Sequence, residues 1–490
     1  MTPSTRLLSL AGAAALALAG GAARADDTAG LRVSHPREIA GVSPFTGVTC
    51  NVPPSALGQV TVDREVEPIL ASDPRNPKRL VGAWIDLTGA TIRTAATENG
   101  GHGWKLATPP ALDACTGASG STAEGTYDPW VSIGPDGVAY LASVTLYHFY
   151  LPLFSAFSSP LNVQRSMDGG RSWSDPVLVP GANAADNPTI LADPYHAARV
   201  YVAYRNDPFF LTPDPNDTAF YVARSDDQGE TWTPATVVAR PPDGGKIVHP
   251  TMSVLEDGML VATYGVIDPA ASVWTIESQR SGDGGLTWSP PTLVRTNEPQ
   301  AEPSACGIAF DRRNFPSQQA VVAGRDIAIV SADAAASNAG HGAIVLSVSR
   351  DDGATWSNRT VVTSDAMITQ ATVAADRQGR LGLLWDEVDV AHADCSTGSV
   401  PITTRVAIVG PGGRLQATGQ IGTAWDARTT LVGPPYDSPR WWLGEYQGLA
   451  GLDQGVAALT IQARPASRVG DTGVFFAHTL TEGSTPDIGN

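Results

Sequence analysis

SMDGGRSW, residues 166–173, is one of four full copies of a single octapeptide. Ser225–Trp232 reads SDDQGETW, Ser281–Trp288 reads SGDGGLTW and Ser349–Trp356 reads SRDDGATW. All fit Ser-x-Asp-x-Gly-x-(Ser/Thr)-Trp, and TENGGHGW at Thr97–Trp104 is a worn copy. Repeats at long, fairly even spacing mean stacked supersecondary units. The pattern has a mechanical logic. The Asp side chain accepts backbone N–H bonds inside a tight turn. The Gly takes a backbone conformation that costs other residues energy. The Trp packs as an apolar plug beneath the turn. Such a hairpin fastener suits the outer strands of a propeller blade.

A second repeat runs out of phase with the first. Glu67-Pro68-Ile69-Leu70, Asp128-Pro129-Trp130-Val131, Asn187-Pro188-Thr189-Ile190, His249-Pro250-Thr251-Met252 and Glu302-Pro303-Ser304-Ala305 each set a polar residue before a short apolar run. Looser copies lie at Gln370-Ala371-Thr372-Val373 and around Glu445-Tyr446-Gln447-Gly448. Each is followed by a second apolar strand, such as LVGAW at 80–84 or VYVAY at 200–204. That makes seven strand pairs, with a period of about 53 to 75 residues and the octapeptides in the later half of each unit. Four strands per unit around an axis is an all-β fold, a β-propeller of four-stranded antiparallel blades. Seven blades are expected, with six as the competing count. The last unit runs out near Leu480, so a strand from residues 30–62 is expected to complete it. A β-sandwich is the plain alternative, but it leaves two interleaved repeats unexplained.

Composition narrows the function classes. The chain has 490 residues, with 50 Gly and 38 Pro, as many short strands and tight turns require. Its net charge of −17 argues against nucleic acid and against an anionic membrane surface as partners. Residues 1–25 read as a secretory signal peptide: Arg6 charges the start, Leu7–Gly20 is apolar, and Ala23-Arg24-Ala25 is a small-residue cleavage site. The mature chain is therefore expected to begin near Asp26, to be secreted or periplasmic, and to carry no transmembrane segment. The expected layout is an N-terminal segment at 26–62, the propeller at 63–482 and a tail at 483–490. Cys50, Cys115, Cys306 and Cys395 permit two disulfides in three pairings. Pairing 50 with 115 and 306 with 395 would link neighbouring blades. No Cys/His spacing suggests a metal, and no cofactor is expected.

In a propeller the inner strand starts, and the second strand ends, at one face around the axis. The inner-strand starts are Glu67, Asp128, Asn187, His249, Glu302, Gln370 and Glu445 to Gln447. The second-strand ends include Asp86, Arg205, Asp268, Asp333 and Asp386-Glu387. Converging carboxylates raise one another's pKa, which suits acid or base work. A structural reading stands beside this: Pro at a strand start fixes chain entry without losing a ladder bond. Aromatic residues sit in the same loops, among them Tyr147 to Tyr150, Phe209-Phe210 and Trp441-Trp442. Such faces stack on sugars, or pack on one another.

The octapeptides resemble the Asp-box (BNR) repeat of sialidases and related propellers. EPILASDPRNPKRLVGAW, DPWVSIGPDG, NPTILADP and WWLGEYQGLA resemble exported bacterial proteins of sialidase-like type. The resemblance implies an exported glycoside hydrolase, most simply an exo-sialidase. Members of that superfamily hold the substrate carboxylate with three arginines and use a Tyr nucleophile paired with a Glu, and an Asp as acid/base. Here the usual early Arg-Ile-Pro motif is absent, and Arg205, with Arg440 or Arg325, remains as an anion clamp. Asp128 is expected as acid/base and Tyr446 as nucleophile, helped by Glu302 or Glu445. Glu67, Trp130, Asn187, His249, Gln370, Asp386, Trp441, Trp442 and Gln447 are expected to bind a glycan or glycoconjugate. The rival expectation is a propeller that binds a glycan or a protein without catalysis. A structural Ca²⁺ site is the weakest reading.

Overall fold

The computed structural model describes residues 29–48, 50, 63–118, 123–150, 155–206, 218–242, 244–268, 273–297, 304–310, 319–333, 342–397, 399–427, 431–432, 440–441, 443–464 and 471–480. Seven four-stranded antiparallel blades surround one axis. Their inner strands are Glu65–Ser72, Ala123–Ile133, Ala185–Ala192, Lys246–Val254, Val321–Ala323, Met367–Ala375 and Gly448–Gly451. The inner strand of blade 1 lies beside those of blades 2 and 7, so the ring is closed. Among the described residues helix is confined to short 3₁₀ turns, and none is long and apolar enough to cross a membrane.

Blade 7 is completed from the other end of the chain. Arg37–Glu38 pairs antiparallel with Thr472–His478 as its outermost strand. Just before it, Ala29–Gly30 adds in parallel to the outer strand of blade 6. The expected closure by the N-terminal segment is therefore present. The disulfides are Cys50–Cys115 and Cys306–Cys395.

One blade departs from the expectation. The inner strand of blade 5 is Val321–Ala323, not the segment at Glu302-Pro303-Ser304-Ala305. Ser304–Ala305 turns back on Ile308–Phe310, which pairs in parallel with Arg440–Trp441. These strands and Leu431–Val432 form a separate small sheet. The X-Pro signature was copied there without the position in the ring, because the strand that fills blade 5 comes later in the chain. Glu302 and Trp442 lie outside the described residues, as do Phe209-Phe210 and the leader at 1–25.

The octapeptides do as their residue types dictate. Asp168 accepts from the backbone of Arg171 and Ser172 at 3.0 and 2.9 Å, and Ser166 accepts from Gly170 N–H at 2.7 Å. Gly170 has φ +89°, and a Cβ there would strike Val81 of blade 1. Trp173 donates to Thr94 of blade 1 at 3.0 Å. Each box thus fastens its own hairpin, and this one also bolts blade 2 to blade 1. The worn copy keeps the geometry, with Thr97 and Asn99 in the Ser and Asp roles. The Asp residues six positions after the inner-strand starts are likewise fasteners: Asp73, Asp193 and Asp376 each accept two backbone N–H bonds in the next turn.

Candidate functional site

The ladder between inner and second strands slips at the same place in five blades. The slips fall between Val66 and Ile69, Tyr127 and Trp130, Asp186 and Thr189, Val248 and Thr251, and Thr369 and Thr372. The residues bulged out are Glu67, Asp128, Asn187, His249 and Gln370. Each has a left-handed backbone, with φ of +54°, +52°, +46°, +48° and +52°. Four precede proline, which has no N–H to lose from the ladder. A side chain in this region costs about 1–2 kcal/mol per residue relative to ordinary backbone. Strain repeated at one level of a ring is a mark of function, since bulges re-aim side chains.

What these five residues meet is the segment Leu443–Gln447, which leads into blade 7. Glu67 N–H donates to the Leu443 carbonyl at 3.2 Å, and the Glu67 carboxylate accepts from Glu445 N–H at 3.2 Å. Gly444 has φ +97°, and a Cβ there would overlap the Glu67 side chain. Gln370 Nε2 donates to the Gly444 carbonyl at 2.7 Å. The Glu445 carboxylate accepts from Asn187 Nδ2 at 2.9 Å and lies 3.2 Å from His249 Nε2. Tyr446 donates its hydroxyl to the Pro129 carbonyl at 2.9 Å and packs edge-on against Trp130 at 5.2 Å. Gln447 Nε2 donates to Asp386 at 2.7 Å and contacts Gln370 Oε1 at 3.3 Å. One pentapeptide therefore touches blades 1, 2, 3, 4 and 6. Below it, inner strands of all seven blades line a channel of about 300 Å³, with Trp130 among the lining residues.

The electrostatics follow from this crowding. Burial pushes the Asp128 carboxyl well above the usual range, and the nearby Glu67, Asp186 and Glu445 carboxylates push the same way. A carboxyl in that state keeps its proton and can donate it. Burial also raises the Tyr446 hydroxyl, with Glu67 first among the acids that add to the effect. Asp386, fully buried, is pushed up to about 7 by burial, against the bonds from Thr404 and Gln447. Arg205 donates to Asn187 Oδ1 at 3.2 Å and is ion-paired with Asp186. Arg405 is held by Glu387 at 3.0 Å, and Arg295 by Asp333.

The structure thus gathers Glu67, Asp128, Trp130, Asn187, His249, Gln370, Glu445, Tyr446 and Gln447 around the axis, with Asp386 behind Gln447 and Arg205 behind Asn187. Trp130 is a buried wedge against Tyr446, and Trp441 belongs to the small separate sheet. Among the acids, Glu67 bears most strongly on the Tyr446 hydroxyl. Sequence reasoning missed Asp186, although it adjoins Asn187, and missed the crossing path of Leu443-Gly444. Among the described residues no group of acidic, His or Cys side chains is placed to hold a metal ion.

Residues 138–366 match the family described as a BNR repeat-like domain. No curated protein sequence matches the chain. Similar solved structures include a protein of unknown function from Dyadobacter fermentans, at 15% identity and TM-score 0.46, covering 79% of this chain and 98% of that one. Another is the leech intramolecular trans-sialidase, at 14% identity and TM-score 0.43, covering 78% and 71%. A third is the α-L-arabinofuranosidase of Fusarium graminearum, at 13% identity and TM-score 0.43, covering 72% and 92%. At such identities chemistry does not transfer. Four complete Asp boxes, seven blades and the family match together show a β-propeller that carries a BNR repeat-like domain over residues 138–366.

Proposed function

We propose that the chain is an exported glycoside hydrolase, of exo-sialidase type, acting on a glycan at the axial mouth. One feature carries the reading: burial and the neighbouring acids raise the Asp128 carboxyl at the mouth, close to Tyr446, whose hydroxyl has Glu67 at hand. In the first step Tyr446 oxygen attacks the anomeric carbon as the glycosidic C–O bond breaks. Asp128 gives its proton to the leaving oxygen, and Glu67 takes the Tyr446 proton. In the second step water attacks the anomeric carbon and gives a proton to Asp128, while Glu67 returns its proton to the departing Tyr446 oxygen. For this the Tyr446 hydroxyl must exchange the Pro129 carbonyl for substrate.

The test is hydrolysis of a fluorogenic sialoside, with neutral glycosides alongside. Asp128→Ala and Tyr446→Phe are each expected to lower kcat at least about 100-fold, the scale of lost acid–base help. Turnover untouched by both substitutions would remove the assigned roles. A second reading rests on a separate observation: Arg205 is already engaged by Asp186 and Asn187. A mouth so satisfied suits a non-catalytic glycan-binding propeller, and absence of turnover on every glycoside, with binding on a glycan array, would favour it.

A further inference from the structure

Asp186 has no role in the steps above, yet it stands against the carboxyl assigned as the acid. The backbone N–H of Asn187 donates to two carboxylates at once, to Asp186 Oδ1 at 3.0 Å and to Asp128 Oδ2 at 3.2 Å. Two oxygens that share one N–H face each other at close range. The bulge of blade 3 explains the meeting. Its ladder slips just after Asp186, and the left-handed Asn187 that follows, φ +46°, sends its N–H out of the blade to Asp128 of blade 2. Asp186 is the last regular ladder residue before the slip and lies directly opposite Arg205. The register thus fixes the ion pair between them, and Arg205 Nε adds a bond to Asn187 Oδ1 at 3.2 Å. The two acids are not equivalent. Asp186 spends one oxygen on the Asn187 N–H and the other on the guanidinium, as an ionised carboxylate does. Asp128 accepts from that N–H with one oxygen only. With 12% and 21% of their side chains exposed, Arg205 and Asp186 are little screened by solvent.

We propose that Asp186 is a positioning residue for the acid of the mouth: pinned by Arg205, it sets a fixed negative charge against the Asp128 carboxyl and so keeps that carboxyl supplied with its proton. Its part in catalysis rests on the hydrolase reading. The physical reason is that like charges at close range disfavour the second ionisation, while an opposite charge favours it. Asp186 therefore holds the proton on Asp128, and Arg205, standing behind Asp186, works against it. Other groups face Asp128. Burial is the largest force on its carboxyl, and Glu67 of blade 1, Asp186 and Glu445 of the mouth segment add to it in that order. The hydroxyls of Tyr127 and Tyr446 adjoin the same acids, and His249 bears on Glu445 from blade 4. Changes at Asp186 and Arg205 leave all of these in place, so two variants read the pair alone.

The measurement is the titration of the Asp128 carboxyl in the full chain, followed by carbon NMR of aspartate-labelled protein and identified by the signal that Asp128→Asn removes. Asp186→Asn keeps the shape, takes away the fixed charge and leaves Arg205 unopposed by it, so the Asp128 midpoint is expected to fall by at least about one pH unit. Arg205→Gln unmasks Asp186, so the midpoint is expected to rise, again by about one unit. A residue that only props up the fold would move both variants one way or neither. An unmoved midpoint in either variant, or two shifts of one sign, overturns the proposal. Where one variant does not fold, the sign of the shift in the other decides alone. A fluorogenic glycoside supplies the link to catalysis: the basic limb of kcat/KM is expected to follow the NMR midpoint in each variant. Absence of turnover with opposite shifts sinks the hydrolase reading and leaves the charge pair standing on its titration. Turnover with unmoved midpoints does the reverse.

Discussion

At the scale of single residues, the site is made by backbone conformation as much as by side-chain type. Glu67, Asp128, Asn187, His249 and Gln370 share no chemistry beyond polarity, yet all five adopt φ between +46° and +54°. The shared feature is the bulge, which turns one side chain per blade toward the segment at Leu443–Gln447. If the backbone is strained there, removing the side chain should help or harm according to what replaces it. His249→Ala and His249→Gly lose the same contact with Glu445. Ala keeps the left-handed cost and Gly does not, so His249→Gly is expected to be the more stable of the two by about 1 kcal/mol. At an ordinary strand position the order inverts, since Gly in a strand costs about 0.5–1 kcal/mol against Ala. Ala203→Gly, in the second strand of blade 3, supplies that comparison. Melting temperatures of the three variants decide it, and a His249→Ala that melts above His249→Gly sinks the strain argument.

At the scale of elements, the Asp boxes were legible because every bond that defines them is local. Ser166, Asp168, Gly170 and Ser172 bond within eight residues, so their spacing alone states the turn. The X-Pro starts were legible for the same reason, and misled for the same reason at Glu302-Pro303. A local signal says that a strand begins, not which sheet it joins. Val321–Ala323 took the place in blade 5 with no such signature. Likewise nothing local in LGEYQ says that it spans five blades, because its partners stand up to 378 residues away. The box tryptophans differ in reach, and this makes a prediction. Trp173 is buried and its indole N–H crosses to Thr94 of blade 1. Trp288 is half-buried, and its N–H stays within its own turn on the Gly285 carbonyl at 3.2 Å. Trp173→Ala is expected to cost about 3–5 kcal/mol, the range for a buried Trp. Trp288→Ala should cost clearly less. Thermal or denaturant unfolding of the pair checks the order, and equal losses would mean that the bolt between blades adds nothing.

At the scale of the whole molecule, a ring of blades is only as strong as its closure, and closure here joins the two ends of the described chain. Its existence was readable from a last unit short by one strand. Its chemistry was not, because Arg464 meets partners about 400 positions earlier. Arg464 donates to Glu38 at 2.7 Å, to Asp63 at 2.8 Å, to the Gly41 carbonyl at 2.9 Å and to Glu65 at 3.3 Å. One guanidinium thus holds the closing strand, the linker and the first strand of blade 1. Glu65 has no exposed surface, and burial raises its carboxyl well above the usual range, with Arg464 first among the groups that oppose the rise. Arg93, at 3.7 Å, gives partial compensation and is shared with Asp86. Arg464→Ala should therefore cost about 3–5 kcal/mol, as removal of one partner of a buried pair does. The loss also has a pH signature. Without Arg464 the folded state prefers Glu65 protonated even more strongly than before. A carboxyl raised in the fold gives up stability as pH climbs above its unfolded value, about 4.3. The gap between the natural chain and Arg464→Ala should then be narrower in acid and widen as pH rises above the natural chain's own raised value for Glu65. Melting curves across that rise in pH measure it. A gap that stays constant would mean that Arg464 acts by packing and backbone bonds alone, and that the charge on Glu65 is not what the closure answers.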